Sequence, residues 1–214
     1  YKDADTGEGK AVVGTIAGNS ISFGTPVVFA SPSNYVSVAA LDNTHVVIGY
    51  RGGGFNFGTA IVGTISGNSI SFGTPAVFES ANTTYISVAS IDSTHVVIGY
   101  ADCSGWRGKT IVGTVSGNSI SFGSATQFDG YCGISTHSYS VTSISTASLD
   151  SNHIVVGYNY LVDGAFSLSE GRAVVGTISD NSISFGSLES FNDVYNSFVS
   201  VASLDSTHVV IGYS

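Results

Sequence analysis

The sequence predicts an all-β chain built from four copies of one unit of about 50 residues. Three observations predict it. The phrase Ala11-Val-Val-Gly-Thr-Ile-Ala-Gly-Asn-Ser-Ile-Ser-Phe-Gly returns from Ala60, from Thr110 and from Ala173. A second phrase, Ser37-Val-Ala-Ala-Leu-Asp-Asn-Thr-His-Val-Val-Ile-Gly-Tyr, returns at Ser87, near Ser145 and at Ser200. Finally, Val, Ile, Phe, Tyr and Thr fill the segments between Gly, Asn, Asp and Ser turns, with no sustained 3.6-residue period, so helix is excluded.

Each unit reads as two hairpins. Ala11 to Ile16 and Ser20 to Phe29 are extended, joined by the Ala17-Gly18-Asn19 turn. Tyr35 to Leu41 and His45 to Tyr50 are extended, joined by Asp42-Asn43-Thr44. The closing tyrosines are Tyr50, Tyr100, Tyr158 and Tyr213, and Tyr1 is the tail of the same signature. Insertions lengthen the third and fourth repeats, which divide the single domain 1–214 at approximately 1–50, 51–100, 101–158 and 159–214.

The run Val46-Val47-Ile48 is apolar at consecutive positions, the pattern of a sheet buried on both faces. Four strands per repeat of this length, stacked sheet on sheet, is the signature of a β-propeller, here with four blades. The small-residue strand Ser-Val-Ala-Ser suits the innermost position A, followed outward by His-Val-Val-Ile-Gly-Tyr (B), Ala-Val-Val-Gly-Thr-Ile (C) and Ser-Ile-Ser-Phe (D). In this phase the last A and B strands complete the blade begun by the first C and D. The expectation is a two-plus-two closure in which the termini share one blade, with a fragment of a longer propeller or array as the competing reading.

The bulk numbers exclude several function classes. Net charge is −9 with only 6 Lys and Arg, which argues against nucleic-acid binding. No apolar run reaches the length of a membrane span. Cys103 and Cys132 lack any CxxC or His-x3-His companion, so a disulfide is expected before a zinc site, with a free thiol pair as the alternative. A disulfide implies an oxidising, extracellular or surface setting.

The repeat Val-Gly-Thr-Ile-Ser-Gly-Asn-Ser-Ile-Ser-Phe-Gly, followed by Ser-Val-Ala-Ser-x-Asp-Ser-Thr-His-Val-Val-Ile-Gly-Tyr, resembles the repeats of large surface and phage-associated proteins of marine microbes. The resemblance covers the whole chain and implies a propeller. It carries over no activity and no site residues.

Chemistry is expected at the strand ends. Lys2, Lys10, Arg51, Arg107, Lys109 and Arg172 all fall in B–C segments, together with Trp106 and the aromatics Phe55, Phe57, Tyr160 and Phe166. The insertion from Tyr131 to Val141 opens on the same face. Aromatic faces and guanidinium forks suit sugar rings and anionic groups. The candidate ligand-binding set is therefore Trp106, Arg107, Arg51, Arg172, Tyr131 and Tyr160.

The opposite face repeats Asp-x-x-His: Asp42 and His45, Asp92 and His95, Asp150 and His153, Asp205 and His208. An aspartate that accepts backbone hydrogen bonds in a turn explains the pattern. The alternative is an axial metal or cofactor held by His45, His95, His153 and His208. The segment Asp3-Ala-Asp5-Thr-Gly7-Glu8 has the oxygen spacing of a partial calcium loop without its later ligands. No nucleophile elbow, His-Glu-x-x-His pair or phosphate-cradling glycine loop is present. Ser-x-Asp-Ser-Thr-His is similar to the sialidase Asp-box but lacks its Gly and Trp.

The expected protein is thus a secreted or surface binding module without catalysis or a resident cofactor, lectin-like, recognising a glycan or an anionic ligand through its B–C loops. The alternatives are a structural or adhesive component of a larger assembly, including a homo-oligomer, and an axial metal carrier.

Overall fold

A computed structural model of the chain describes residues 1–102, 106–130, 139–162, 168–194 and 197–214, and every described segment is strand, turn or coil. The chain is all-β. It begins with β1 (Gly9–Ala11), β2 (Gly14–Ala17), β3 (Ser20–Phe23) and β4 (Val27–Ala30). There follow β5 (Ser33–Ala40), β6 (His45–Gly52), β7 (Phe57–Ser66), β8 (Ser69–Phe72) and the long β9 (Ala76–Ser90). The next unit holds β10 (His95–Asp102), β11 (Arg107–Ser116), β12 (Ser119–Phe122) and β13 (Thr126–Asp129). The third has β14 (Tyr139–Ser148), β15 (His153–Val162), β16 (Leu168–Ser179), β17 (Ser182–Phe185) and β18 (Glu189–Asn192). β19 (Val199–Ser203) and β20 (Val209–Tyr213) end the chain.

All ladders are antiparallel, in the A-B-C-D order that the repeats predict. β5-β6-β7-β8 form the first sheet, the second half of β9 with β10-β11-β12 the second, and β14-β15-β16-β17 the third. The expected single strand from Ser20 to Phe29 is two strands. β3 pairs with the second half of the C strand and β4 with the first half, and the same division recurs in β12 and β13 on β11. Gly24 and Pro26 lie at the break, and proline has no N–H to give a ladder.

The sheets lie face against face. Val47, Val62, Val96 and Ile98 belong to one buried cluster between the first and second, and Val97, Val112, Ile154 and Val156 to another between the second and third. Both faces of the B strands β6, β10 and β15 are therefore buried, as consecutive apolar residues require. The A strands β5, β9, β14 and β19 run side by side. Small residues let them approach: the backbone N–H of Val88 donates to Ser37 Oγ over 3.0 Å, that of Thr146 to Ser87 Oγ over 2.9 Å, and that of Val201 to Ser145 Oγ over 2.9 Å.

The expected ring closure is not formed. β19 and β20 make a two-stranded sheet of their own, and β1–β4 and β2–β3 make two more, so the terminal half-sheets share no ladder. Two observations account for the open ends. Tyr1 already pairs with Lys10, donating its terminal amine to Lys10 O over 2.9 Å and accepting from Lys10 N over 2.8 Å. That rung is the one Tyr100 makes with Lys109 in an intact sheet, so Tyr1 occupies the place Tyr213 would need. Lacking a B partner beyond that rung, the first C strand is also interrupted: Val12 and Val13 have no ladder, whereas their equivalents Ile61 and Val62 pair with Ile48 and Val47.

Candidate functional site

The four Asp-x-x-His turns share one construction. Asp42 Oδ1 accepts from the backbone N–H of Thr44 at 2.6 Å and of His45 at 2.8 Å, while Asp42 Oδ2 lies 2.9 Å from His45 Nδ1. Asp92, Asp150 and Asp205 repeat the geometry with His95, His153 and His208. The hydrogen bond from the Thr44 backbone, then the one with the His45 side chain, holds the Asp42 carboxyl well below its ordinary range. The Thr207 hydroxyl and backbone bring Asp205 to about 2. Each histidine is thus engaged by its own turn, and among the described residues no group of three or more His, Cys, Asp or Glu could hold a metal ion. A groove of about 560 Å³ lies between two of these turns, lined by Asp92, His95, Asn152, Asp180 and Asn181. Its polar groups are largely spent: Asp92 is bonded to His95, and Asn181 Oδ1 accepts from Thr114.

The cations expected in loops lie mainly in C strands, and carboxylates meet them there. Lys109 Nζ is 2.9 Å from Glu79 Oε2 and 2.8 Å from Asp102 Oδ2. Arg107 NH2 is 3.1 Å from the same Asp102 oxygen. Arg172 reaches Asp129 at 2.9 Å and Glu170 at 2.8 Å, with its guanidinium 3.7 Å from the Tyr160 ring centroid. Tyr100 and Tyr158, both buried, donate their hydroxyls to Glu79 and Asp129. Burial, reinforced by those carboxylates, raises both phenols far above their ordinary value. Lys10 similarly neutralises the acidic N-terminal turn, at 2.6 Å from Asp3 and 3.3 Å from Glu8. Asp3 Oδ1 is already taken by the N–H groups of Asp5 and Thr6, which leaves the partial calcium loop closed on itself.

Arg51 differs. Among the described residues it has no carboxylate partner. Its guanidinium stands 4.8 Å from the ring centroid of Tyr35, NH1 is 3.5 Å from Asn82 Oδ1, and Nε has no hydrogen-bond partner. Tyr35 meets Tyr85 edge to face with centroids 5.5 Å apart. Both tyrosines sit at bulges with φ of +49° and +52°, a conformation costly for a bulky L-residue. The bulge recurs at Ser143, so the backbone feature belongs to the repeat while the aromatic pair is particular to the first two sheets. Beside Tyr35, Asn34 Oδ1 accepts from Lys2 Nζ over 3.0 Å.

Of the residues singled out in the sequence, the structure engages Arg107 and Arg172 in ion pairs and covers Tyr160 with Arg172. It leaves Trp106 half exposed at φ +53° and Arg51 over an aromatic face. Tyr131 and the Cys103–Cys132 pair lie outside the described residues. Sequence reasoning missed Tyr35, Tyr85 and Asn82. The signal was present in Tyr35 and Tyr85, which stand at the same position of successive repeats just ahead of Ser-Val-Ala. No protein-family model and no curated protein matches this sequence.

Proposed function

We propose that the chain is a non-catalytic recognition module of propeller type, working in an extracellular or surface setting. Its three sheets and two half-sheets count as four blades. The ligand class is an acidic sugar or a similar flat, anionic polyol. The observation that carries the reading is Arg51, held over Tyr35 and next to Asn82 where the other two arginines are neutralised by carboxylates. An aromatic face receives the C–H face of a sugar ring, the guanidinium takes its carboxylate or sulfate, and the amide its hydroxyls. The Tyr35–Tyr85 aromatic pair, particular to the first two sheets, supports the assignment.

The test is binding to an immobilised panel of neutral, uronate-containing and sulfated oligosaccharides. The expected result is salt-sensitive retention of an acidic glycan, weakened at least tenfold in Arg51→Ala and in Tyr35→Ala and unchanged in Trp106→Ala. Silence across the panel, or retention indifferent to both substitutions, overturns the reading.

A further inference from the structure

The first junction between sheets differs from the two later ones at three equivalent positions. Where the first full sheet meets the second, Glu79, Lys109 and Asp102 gather beside the Tyr100 hydroxyl. Where the second meets the third, Asp129, Arg172 and Tyr160 gather beside Tyr158. The first junction keeps the phenol as Tyr50, with Phe29 packed on it at 5.2 Å between ring centroids, as Phe78 packs on Tyr100 at 5.1 Å. It carries Ala30, Thr59 and Gly52 at the other three positions. Each is smaller than both of its counterparts, and none is charged.

Those three replacements leave a groove of about 260 Å³, walled by Ala30, Tyr50, Gly52 and Thr59 and flanked by Phe57 and Pro75. All of its walls lie between Phe29 and Val77, inside the chain. Tyr50 is only 3% exposed, yet its hydroxyl has no hydrogen-bond partner among the described residues, whereas Tyr100 donates to Glu79 and Tyr158 to Asp129. Burial pushes the Tyr50 phenol up to about 12, so it remains a donor at neutral pH. Its ring leans over Gly52, where a Cβ would come within 2.5 Å of Cε2. Among the described residues no Lys, Arg, His, Asp or Glu lines the groove.

We infer that this groove binds a small neutral molecule that joins a flat ring to a carbonyl oxygen. The oxygen accepts from Tyr50, in the role that Glu79 and Asp129 play at the later junctions. The ring meets the apolar walls at Phe57, Pro75 and Val77. The occupant is neutral because a carboxylate there would leave water without a cation to meet it, which costs more than one hydrogen bond returns. It is small because the groove falls below the roughly 300 Å³ at which pockets for drug-sized ligands begin. It carries an acceptor because a purely apolar occupant would seal off the phenol with its bond unmade. The site is separate from the Arg51 surface, since Tyr50 and Arg51 are consecutive in β6 and project to opposite faces of the sheet.

The experiment is a titration of the isotope-labelled chain with benzamide and, separately, with benzoate, followed through amide chemical shifts. Benzamide is expected to saturate in the millimolar range and to shift the amides of Ala30, Gly52, Thr59 and Val77. Benzoate has the same shape with a charge added, and is expected to bind at least about tenfold more weakly. Tyr50→Phe removes only a hydroxyl without a protein partner, so it keeps its fold, which a melting curve verifies, and it is expected to weaken benzamide about tenfold. Ala30→Glu combined with Thr59→Lys rebuilds the ion pair inside the groove and is expected to abolish the shifts, while Arg51→Ala leaves them unchanged. Failure of benzamide to shift these amides overturns the proposal. So does benzamide binding that is indifferent to Tyr50→Phe or is matched by benzoate.

Discussion

Glu79 and Lys109 face each other across the junction between the first and second sheets, with Oε2 and Nζ 2.9 Å apart and the Tyr100 hydroxyl 3.2 Å from the same oxygen. Asp129 and Arg172 take the same places at the next junction, with Tyr158 as the phenol. At the first junction the positions are Ala30 and Thr59, opposite Gly9 and Tyr50 in the matching register. At these three junctions the carboxylate and the cation appear together or not at all. Each compensates the other's cost of burial.

A double-mutant cycle follows from that pairing. Glu79→Ala leaves Lys109 with Asp102 alone and removes the acceptor of a buried phenol, and is expected to cost roughly 2–4 kcal/mol. Lys109→Thr leaves Glu79 without its cation and costs a similar order. The double variant reproduces the neutral pair Ala30 and Thr59, so it is expected to recover at least about 1 kcal/mol relative to the sum of the two. Urea unfolding of the four proteins checks it, and strict additivity would show that the residues do not act as a unit.

Methyl groups probe the junctions more sharply. A Cβ on Gly73 would stand 1.9 Å from the carbonyl oxygen of Asn118, a backbone atom that cannot swing aside. Gly73→Ala is expected to lose about 2–3 kcal/mol by overpacking. The same substitution at Gly186, where the nearest atom is 3.8 Å away, is expected to change stability by less than about 0.5 kcal/mol. Thermal unfolding distinguishes the two, and equal losses would mean that intrinsic backbone preference rather than sheet packing sets the need for glycine.

Much of this was legible in the sequence, because the repeat itself encodes it. The phrase Ser-Val-Ala marks the A strands, Val-Val-Ile the doubly buried B strands, and Asp-x-x-His the turn whose aspartate collects backbone N–H groups. The positions of Lys109 and Arg172 were legible but their partners were not. Glu79 and Asp129 are 30 and 43 residues away, and only the packing of one sheet on the next brings them together. The expected closure failed for a related reason. Repeat phase shows that the terminal halves are complementary, but not that Tyr1 holds the rung opposite Lys10 or that the two halves stay in separate sheets. The recurrence of Tyr35 and Tyr85 at one repeat position was legible, but the bulge they sit on was not, because a positive φ has no signature when the residue is not glycine.

The turn aspartates set the behaviour of the fold in acid. Asp205 has an ordinary value of 3.8 and is held at about 2 by the Thr207 hydroxyl and backbone, then by His208. Asp150 is lowered by the Asn152 backbone and His153. At Asp92 burial pushes upward, and the Thr94 and His95 bonds outweigh it. A depressed carboxylate stabilises the folded state above its unfolded value, and that contribution is lost as pH falls through the folded value. Stability from these turns is therefore expected to be constant from neutral pH to about 4 and to decline between 3.8 and 2. Asp205→Asn keeps the Oδ1 acceptor but cannot titrate. Its melting temperature is expected to lie below that of wild type at pH 7 and to fall less steeply between pH 4 and pH 2. A parallel acid limb in the two proteins would place the acid sensitivity outside these turns.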